Sequence, residues 1–509
     1  MNTQCKTGPD PVLRLRRVGI DTYQEPIIYM HSDCHVCRAE GFGAQARILV
    51  RHGSREIIAT MNVVHSDWLT PGEAGLSEAA WKQLEAREGD EVRLSHAPPI
   101  ASLGHLRSKI FGNTLGDGPF REIIMDIISG RYMDIHLSSF ITACADDRLD
   151  RNEIISLTRA MVGAGDRMDW GSPMVADKHC VGGLPGNRTT PLVVAIIAAN
   201  GIVIPKTSSR AITSPAGTAD TMETLTPVTL SLSTMRRVVE KEGGCIAWGG
   251  GMHLSPADDI LIRIEHALDI DSDGQLVASI LSKKIAAGST HAIIDIPVGP
   301  TAKVRTPEAA AILRDHLVAV GQAVGLQVRV ILTDGHQPVG RGIGPALEAW
   351  DVLAVLKGDP NAPHDLKERG VHLAGELLEI AGAANPGMGQ ALARQTLEEG
   401  RAWRKFEAIC RAQGGMREPP KASHTTVVPA TSTGRVVFVD NRRLARIAKL
   451  AGAPKAPAAG ILLHARIGEL ISRGEPLFTV HAESPGELDY ALTYLSGQTG
   501  IIQLENSAP

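Results

Sequence analysis

Short apolar runs and helical stripes alternate along the chain, and their spacing changes several times. Residues 1–100 carry short β-rich runs, such as Ala46 to Val50 and Ile57 to Val64. One helix is predicted around Ser77 to Ala86. The first region is therefore predicted to be a small N-terminal β-rich domain.

The pattern becomes helical between residues 101 and 170. An apolar stripe marks one helix with Ile123, Ile124, Ile127 and Ile128. Pro119 is predicted at the first position of that helix. Asp150 and Glu153 have the spacing of a capping box, which predicts the start of another helix. The helical stretch at about 256–287 is expected to rejoin this helical subdomain in space.

Residues 171–420 alternate apolar runs, Gly-rich loops and helices. The predicted strands are Met174 to Ala176, Ile202 to Ile204, Ala292 to Ile296 and Val328 to Leu332. Strands separated by helices imply a mainly parallel sheet with ligands bound at the carboxyl ends of the strands. After a polar stretch, residues 425–509 turn β-rich and are predicted to form a C-terminal α+β domain. The fold class is therefore an α/β multidomain protein.

The composition of the chain limits the kinds of partner that we expect it to bind. The chain has 509 residues, with 52 Lys+Arg against 56 Asp+Glu, a formal charge of −4 and no long block of like charges. This balance argues against a nonspecific nucleic-acid or membrane-surface binder. The longest apolar run, Pro191 to Pro205, is too short to span a bilayer. Seven scattered cysteines and no signal-peptide pattern favour the cytoplasm.

One cluster of metal-ligating residue types lies near the N-terminus. His31, Cys34, His35 and Cys37 could hold zinc or act in redox chemistry. No second CxxC or spaced His pair follows. A turn leading into the next strand is the preferred interpretation, and no metal is expected.

Two successive loops after predicted strands are rich in groups that bind anions. Asp177 to Thr190 contains Lys178 and the pair Gly182-Gly183, whose backbone amides can point at a phosphate. Lys206 to Thr218 adds lysine, arginine and hydroxyl side chains. Together they predict a phosphate-containing ligand. A third loop, Thr333 to Gly344, is equally well explained as a tight turn between a strand and a helix.

Four stretches resemble the nucleoside phosphorylase family that includes thymidine phosphorylase. They are Asp177 to Gly186, Lys206 to Glu223, Ala278 to Lys284 and Leu332 to Leu347. The run Ser208 to Thr221 and the extra N-terminal module are most similar to a branch containing archaeal AMP phosphorylase and bacterial type 2 thymidine phosphorylases. The resemblance covers nearly the whole chain. It implies a homodimer or higher homo-oligomer and a cleft between the helical and α/β parts.

The resemblance also implies which residues act. Lys178, Ser208, Thr218 and the loop at Gly182-Gly183 would hold the attacking phosphate. The AMP phosphorylase pattern implies Asp271 as proton donor, whereas the thymidine phosphorylase pattern implies base contacts from Ser279 and Lys283, with Arg210 and His179 nearby. The further substrate contacts implied are Gly183, Ser209, Arg210, Ala211, Ile212, Thr213, Ser214, Thr218, Ser279 and Lys303.

The implied chemistry suits these residue types. Cleavage of an N-glycosidic bond needs an oriented phosphate on one face of the sugar and a proton or hydrogen-bond donor at the departing base. Asp271 could donate only with a pKa raised by burial or by a carboxylate such as Asp273, and without the resemblance it is better explained as a helix cap. Cys180 replaces a serine found in many relatives. A thiol is a weaker hydrogen-bond donor than a hydroxyl, so Cys180 is expected to bind phosphate less well than that serine.

The leading hypothesis is a phosphorolytic pentosyltransferase that acts on pyrimidine nucleosides, with inorganic phosphate as co-substrate and no cofactor. A nucleoside 5′-monophosphate phosphorylase is the alternative. An anthranilate-type phosphoribosyltransferase is more distant because it needs magnesium, and Asp258-Asp259 is better explained as an acidic helix start. The stretch Ile467 to Val480 resembles the hammerhead of biotin and lipoyl carriers, but no lysine has the context of a carrier lysine. We interpret it as a structural module.

Overall fold

The computed structural model divides by packing into two compact units. Unit 1 comprises Met1–Ser108 and Met125–Ser139, and unit 2 comprises Lys109–Ile124 and Phe140–Pro509. The four domain boundaries proposed from the sequence stay a prediction. The structure describes residues 12–23, 25–186, 188–211, 214–252, 254–268, 270 and 272–505.

Unit 1 contains a closed six-stranded barrel with the strand order β1-β5-β2-β4-β3-β6. Alternate residues point inward, so Leu13 and Leu15 of the first strand are buried together with Ile28 and Met30 of the second. The predicted β-rich domain is confirmed. The strands are β1 (Val12–Arg17), β2 (Ile27–His31), β3 (Arg47–His52), β4 (Arg55–Val64), β5 (Glu73–Leu76) and β6 (Glu91–His96).

Two short helices lie among these strands. Helix α1 (His35–Glu40) replaces the turn that we predicted there, because Val36 and Cys37 pack into the barrel core. Helix α2 (Glu78–Leu84) matches the predicted helix, and its first turn is capped by the hydroxyl of Ser77, which accepts from the Ala80 amide.

The next region is helical, as predicted. The predicted capping box of Asp150 and Glu153 is present. Pro119 was expected at the first helical position, but the helix begins two residues earlier, at Asp117, so the proline lies at the third. Both positions lack an intrahelical acceptor, so either tolerates a missing amide proton. The helices are α3 (Leu103–Ile110), α4 (Asp117–Ile128), α5 (Asp134–Ala143) and α6 (Arg151–Gly163).

Unit 2 is built on parallel strands, which confirms the predicted sheet. The order β11-β10-β7 is joined through a parallel bridge between Val175 and Val203 to the pair β8-β9. The carboxyl ends of these strands therefore lie along one edge. The strands are β7 (Ala176–Cys180), β8 (Ile204–Ser208), β9 (Gly244–Trp248), β10 (His291–Val298) and β11 (Gln327–Asp334).

Three predicted boundaries were wrong by two to four residues. Asp177–Cys180, Lys206–Ser208 and Thr333–Asp334 were assigned to loops, yet they continue strands β7, β8 and β11. The apolar run ends where each strand reaches the polar edge, although backbone pairing continues beyond it. The polar side chains of interest are consequently held by the sheet itself.

Ten helices cover this sheet or pack beside it. Helix α7 is buried over nearly all of its length, from Thr189 to Ala198. The helices are α7 (Thr189–Ala199), α8 (Thr218–Glu223), α9 (Leu232–Glu242), α10 (Pro256–Leu268), α11 (Asp273–Ala286), α12 (Pro307–Ala323), α13 (Pro345–Lys357), α14 (His364–Ile380), α15 (Gly389–Glu398) and α16 (Arg401–Gln413).

Helix α11 rejoins the earlier helices, as predicted. Ser272 donates to the carbonyl of Cys144 at 3.0 Å, and Gln275 donates to that of Ile141 at 2.9 Å. Gly274 lies so close to α6 that a Cβ there would be 3.2 Å from Ile154. Helix α11 is thereby held between the helical part of unit 2 and the sheet.

The C-terminal region is the predicted α+β structure. Its strands pair antiparallel, and the pair β12–β15 joins it to the loop before α13. None of the helices in the described ranges has the length and apolar composition needed to cross a bilayer. The remaining elements are β12 (Gly342–Ile343), β13 (His424–Pro429), β14 (Gly434–Val439), α17 (Asn441–Leu450), β15 (Gly460–Leu463), β16 (Leu470–Ile471), β17 (Pro476–Ala482), α18 (Pro485–Ser496) and β18 (Ile502–Glu505).

Candidate active site

A buried carboxylate and two buried lysines lie together at the edge of the sheet. Asp177 on β7 is fully buried, and its two oxygens face Lys206 of β8 at 3.3 Å and Lys284 of α11 at 2.9 Å. Burial would raise the pKa of Asp177, but the two ammonium groups together lower it below its ordinary value. We call these three residues the Asp177 cluster. It carries one more positive charge than its carboxylate neutralises.

The opposite face of β7 presents another buried ammonium group. Lys178 is fully buried, and its Nζ donates to the hydroxyls of Thr189 at 2.6 Å and Thr190 at 3.4 Å. No carboxylate pairs with it among the described residues. Both threonines lie in the first turn of α7, where backbone amides also favour an anion.

Ser208 ends strand β8 with an unused hydroxyl. Its Oγ is buried and has no hydrogen-bond partner in the part of the chain that the structure describes. Ser208 is two residues from Lys206, so both side chains lie on the same face of β8. A buried hydroxyl without a partner costs free energy that a bound ligand can recover.

The carboxylate of Asp220 holds two backbone amides of the loop after β8. This carboxylate accepts from the amides of Ala211 at 2.7 Å and Gly217 at 3.0 Å. Arg210 is held on the same loop by Asp220 at 3.1 Å and Glu223 at 2.5 Å, and its guanidinium lies 5.0 Å from the Trp248 ring centroid. Arg210 thus ties the loop to α8 and to the end of β9.

The other residues of this loop are placed as follows. Ser209 is exposed, and the Ser214 hydroxyl donates to the Ala216 carbonyl at 2.8 Å. Thr218 is part-buried at the first position of α8. Ile212 and Thr213, like Asp271, lie outside the described residues.

His179 is a neutral imidazole at this edge. Burial lowers its pKa well below its ordinary value, and the positive charges of Lys284, Lys206, Lys178 and Lys283 lower it further. The ring can therefore donate or accept a hydrogen bond without adding charge.

Helix α11 presents a second lysine beside the Asp177 cluster. Lys283 forms an ion pair with the buried carboxylate of Asp258 on α10. Ser279 lies one helical turn before Lys283 and is part-buried. Ser279 and Lys283 are the two positions predicted to contact the base, which stays a prediction, and Asp258 is already neutralised by the lysine.

The glycine loop after β7 approaches another predicted residue. A Cβ at Gly182, whose φ is +118°, would lie 2.8 Å from the Cβ of Lys303. Gly183 has a φ of +53°. Only glycine tolerates this close approach, which brings the exposed Lys303 beside the loop.

The third of the predicted loops, Thr333 to Gly344, contacts the C-terminal region. Arg466 of the C-terminal region donates to the carbonyls of Gly340 at 2.8 Å and Pro338 at 3.2 Å. Buried Arg188 donates to the Val339 carbonyl and pairs with Glu348 at 3.2 Å. These contacts favour the interpretation of this loop as a turn that docks the C-terminal region.

Several residues at this edge were missing from the predicted site. Lys206, Lys284, Asp177, Thr189 and Asp258 were not proposed as site residues. The alternation of side chains along a strand could have revealed them, because it places Asp177 on the same face of β7 as His179 and Lys206 on the same face of β8 as Ser208. It was hidden because both segments were assigned to loops.

The cysteine cluster near the N-terminus is buried in the barrel. The Sγ of Cys37 lies 3.6 Å from the Met30 sulfur and 4.0 Å from that of Met61. Within the described ranges no three His, Cys, Asp or Glu side chains are grouped to hold a metal.

Comparisons with known proteins find two family models that match parts of the chain. The model for "Glycosyl transferase family, a/b domain" matches residues 172–403, and that for "Pyrimidine nucleoside phosphorylase C-terminal domain" matches residues 435–501. The solved structure of anthranilate phosphoribosyltransferase from Thermus thermophilus covers 60% of this chain and 98% of its own, with 20% identity and a TM-score of 0.49.

Curated relatives match over almost the full length. "Putative thymidine phosphorylase" of Polaromonas sp. is 62% identical over 99% of this chain and 100% of its own. "Putative thymidine phosphorylase 2" of Acidovorax sp. is 61% identical over 97% of this chain and 96% of its own. "Putative thymidine phosphorylase" of Legionella pneumophila is 60% identical over 97% of this chain and 96% of its own. The chain therefore belongs to the thymidine phosphorylase family of glycosyltransferases.

Proposed function

We propose that this glycosyltransferase cleaves pyrimidine nucleosides or deoxynucleosides with inorganic phosphate, releasing the free base and a pentose 1-phosphate. The observation that carries the proposal is the unpartnered buried hydroxyl of Ser208, which lies at the same sheet edge as buried Lys178 and the Asp177 cluster. A dianion that accepts from the hydroxyl and balances the surplus positive charge satisfies both groups.

The reaction needs opposite environments on the two faces of the sugar. As the bond from C1′ to the base nitrogen breaks, positive charge develops on the sugar and negative charge on the base. We assign phosphate orientation to Lys178, Ser208, Thr218 and the amides of Gly182-Gly183. Lys283 and Ser279 would stabilise the departing base, with Asp271 proposed as the proton donor. The glycosidic electron pair leaves with the base, and a phosphate oxygen forms the new bond to C1′.

A nucleoside 5′-monophosphate phosphorylase is the second candidate. It is favoured by the polar sequence from Ser209 to Thr218, where Asp220 holds the amides of Ala211 and Gly217, because such a loop can bind a second phosphate. An anthranilate-type phosphoribosyltransferase is less favoured, since Asp258, a candidate magnesium ligand, is already paired with Lys283.

Release of base from thymidine, uridine, AMP, CMP and UMP in the presence of phosphate distinguishes these functions. We expect phosphate-dependent turnover of thymidine or uridine, with formation of pentose 1-phosphate. Turnover of the nucleotides alone would replace the leading proposal with the second. Activity only with a diphosphorylated pentose and magnesium would support the phosphoribosyltransferase.

We further propose that the enzyme acts in cytoplasmic pyrimidine salvage as a homodimer, needs no cofactor or metal, and has neither nucleic acid nor membrane as a partner. Light scattering coupled to size-exclusion chromatography measures the oligomeric state. Activity that survives exhaustive chelation would support the absence of a metal requirement.

A further inference from the structure

The buried Asp177 cluster holds two ammonium groups and one carboxylate, so the charge of Lys206 is not balanced within the cluster. Asp177 pairs with Lys284 at 2.9 Å, which already neutralises one carboxylate with one ammonium group. Lys206 faces the other oxygen of Asp177 at 3.3 Å and donates to the Thr207 carbonyl at 2.6 Å, with 4% of its surface exposed. A buried surplus charge is unfavourable unless an anion comes near.

Among the described residues, Asp177 is the one carboxylate that acts on Lys206. From β7 it meets Asp177 and the neutral ring of His179, whereas Lys178 lies on the opposite face of that strand. From α11 it meets Lys284, with Lys283 already paired to Asp258. From β9 it meets Cys245, whose thiol pKa is raised by burial. On the other face of β7, Asp295 and Arg369 add one charge of each sign near Cys180.

With all three lysines protonated, the formal charges of Lys178 and the Asp177 cluster add to two. Lys178, Lys206 and Lys284 contribute three positive charges and Asp177 one negative charge. This surplus equals the charge of a phosphate dianion. Ser208 follows Lys206 by two residues, so a phosphate held by Ser208 would lie on the same face of β8 as the Lys206 side chain.

We propose that Lys206 is a positioning residue for the phosphate co-substrate, and that it takes up a proton as the phosphate dianion binds at Ser208 and Lys178. Thr207 and Asp177 face two of the three N–H donors of its ammonium group, and the effect proposed here comes from the charge of that group. The inference rests on the proposed phosphorolytic function and adds to it the residue that sets the charge of the phosphate site.

The protonation of Lys206 in the resting enzyme fits this role. Burial, together with the like charge of Lys284, lowers the pKa of Lys206 to about 7, although Asp177 opposes the shift. Near neutral pH a share of the molecules therefore lacks this proton. A nearby dianion favours the charged form, so the proton passes from solvent to Nζ on binding.

Calorimetric titration of the full-length enzyme with inorganic phosphate tests the proposal without a nucleoside. Titrations at pH 7.5 in two buffers of different ionisation enthalpy give both the Kd and the number of protons exchanged. We expect the wild type to take up more protons than Lys206→Met. The variant should also bind phosphate on the order of tenfold more weakly.

Two further variants keep the result interpretable. Lys206→Gln retains a polar head group and should reproduce both effects if Met disturbs packing. Lys405→Met removes a half-buried lysine that pairs with Glu242 at 3.1 Å, and it should leave Kd and proton uptake unchanged. In turnover, Lys206→Met should raise the KM for phosphate and leave the nucleoside KM within about twofold.

The outcomes separate the two proposals. A wild-type enzyme that does not bind phosphate overturns the proposed function. A wild-type enzyme that binds phosphate with no proton uptake beyond that of the Lys206 variants, or variants with unchanged Kd, overturns the role of Lys206 alone. A merely structural lysine would change thermal stability and leave the difference in proton uptake at zero.

Discussion

The Cys180 thiol lies beside the carboxylate of Asp295, its direct neighbour across the parallel pair β7–β10. A Cβ at Gly186 would be 2.4 Å from the Cys180 sulfur and 3.0 Å from Oδ2 of Asp295. Gly186 therefore packs closely against both side chains. Thr333 donates to the other oxygen of Asp295 at 2.6 Å. Burial first, and then this carboxylate, raise the pKa of the Cys180 thiol.

Replacing Cys180 by serine is therefore expected to leave phosphate binding nearly unchanged. A side chain against a negative carboxylate is a poor place for an anion, so the KM for phosphate should stay within about twofold. The wild-type thiol should also react very slowly with a disulfide reagent at pH 8, because its thiolate is disfavoured. A strong fall in the phosphate KM of Cys180→Ser would instead show that a hydroxyl here reaches the phosphate.

Ser208→Ala is expected to impair phosphate binding without cost to stability. The hydroxyl has no partner in the described part of the chain, so its removal should keep the free energy of unfolding the same or raise it by up to about 1 kcal/mol. A hydrogen bond to a charged ligand is lost, so the KM for phosphate should rise about tenfold or more. Urea unfolding and steady-state kinetics measure the two effects.

Ser231→Ala is the matched control for that variant. Ser231 caps α9, where its hydroxyl accepts from the Thr234 amide at 3.2 Å. Its loss should lower the free energy of unfolding by about 1 kcal/mol and leave the phosphate KM unchanged. A Ser208→Ala protein that loses as much stability as Ser231→Ala would mean that the Ser208 hydroxyl is satisfied in the resting enzyme.

His179 should make the fold less stable in mild acid. The folded protein holds this imidazole neutral, because burial and the neighbouring lysines lower its pKa, whereas the unfolded chain protonates near pH 6.5. Below that pH the unfolded state binds more protons, so the free energy of unfolding falls, by at most about 1.4 kcal/mol per pH unit from this group. His179→Gln should flatten the decline measured by urea unfolding between pH 7.5 and 5.5. An unchanged slope would contradict a neutral buried ring.

Much of this fold follows from periodicity. The capping box of Asp150 and Glu153, the helix that begins near Ser77 and the parallel direction of the strands each rest on local patterns that tertiary contacts leave intact. Helix α1 was missed because six residues of mixed polarity carry no helical stripe, and its formation depends on Val36 and Cys37 reaching the barrel core.

The site was less accessible to sequence reasoning. Anion-binding groups such as Lys178 and Ser208 could be singled out because polar residues follow apolar strands. The pairing of Asp177 with Lys284 joins residues more than a hundred positions apart, and no local pattern predicts it. Arg210 illustrates the converse, since its type suggests a ligand contact, which stays a prediction, while its ion pairs with Asp220 and Glu223 of α8 are visible only in the structure.

The pair of Lys109 and Glu153 is expected to stabilise the helical part of unit 2 without acting in catalysis. Both side chains are almost fully buried, and Nζ of Lys109 lies 2.6 Å and 2.7 Å from the two carboxylate oxygens. Lys109→Met strands the carboxylate, which also accepts from the Leu115 amide at 2.8 Å, so the free energy of unfolding should fall by about 3–5 kcal/mol. The phosphate KM of the remaining folded enzyme should not change.

A double variant shows whether the loss comes from the stranded charge. Lys109→Met combined with Glu153→Gln removes both charges while the amide can still accept from Leu115, so it should recover part of the stability lost in the single variant. Denaturant unfolding of the four proteins in this cycle gives the interaction energy directly. If the double variant is less stable than Lys109→Met by the full cost of Glu153→Gln alone, the two residues are not coupled. The stability of this region would then rest on apolar packing, such as the edge-to-face contact of Phe120 and Phe140, whose ring centroids are 6.5 Å apart.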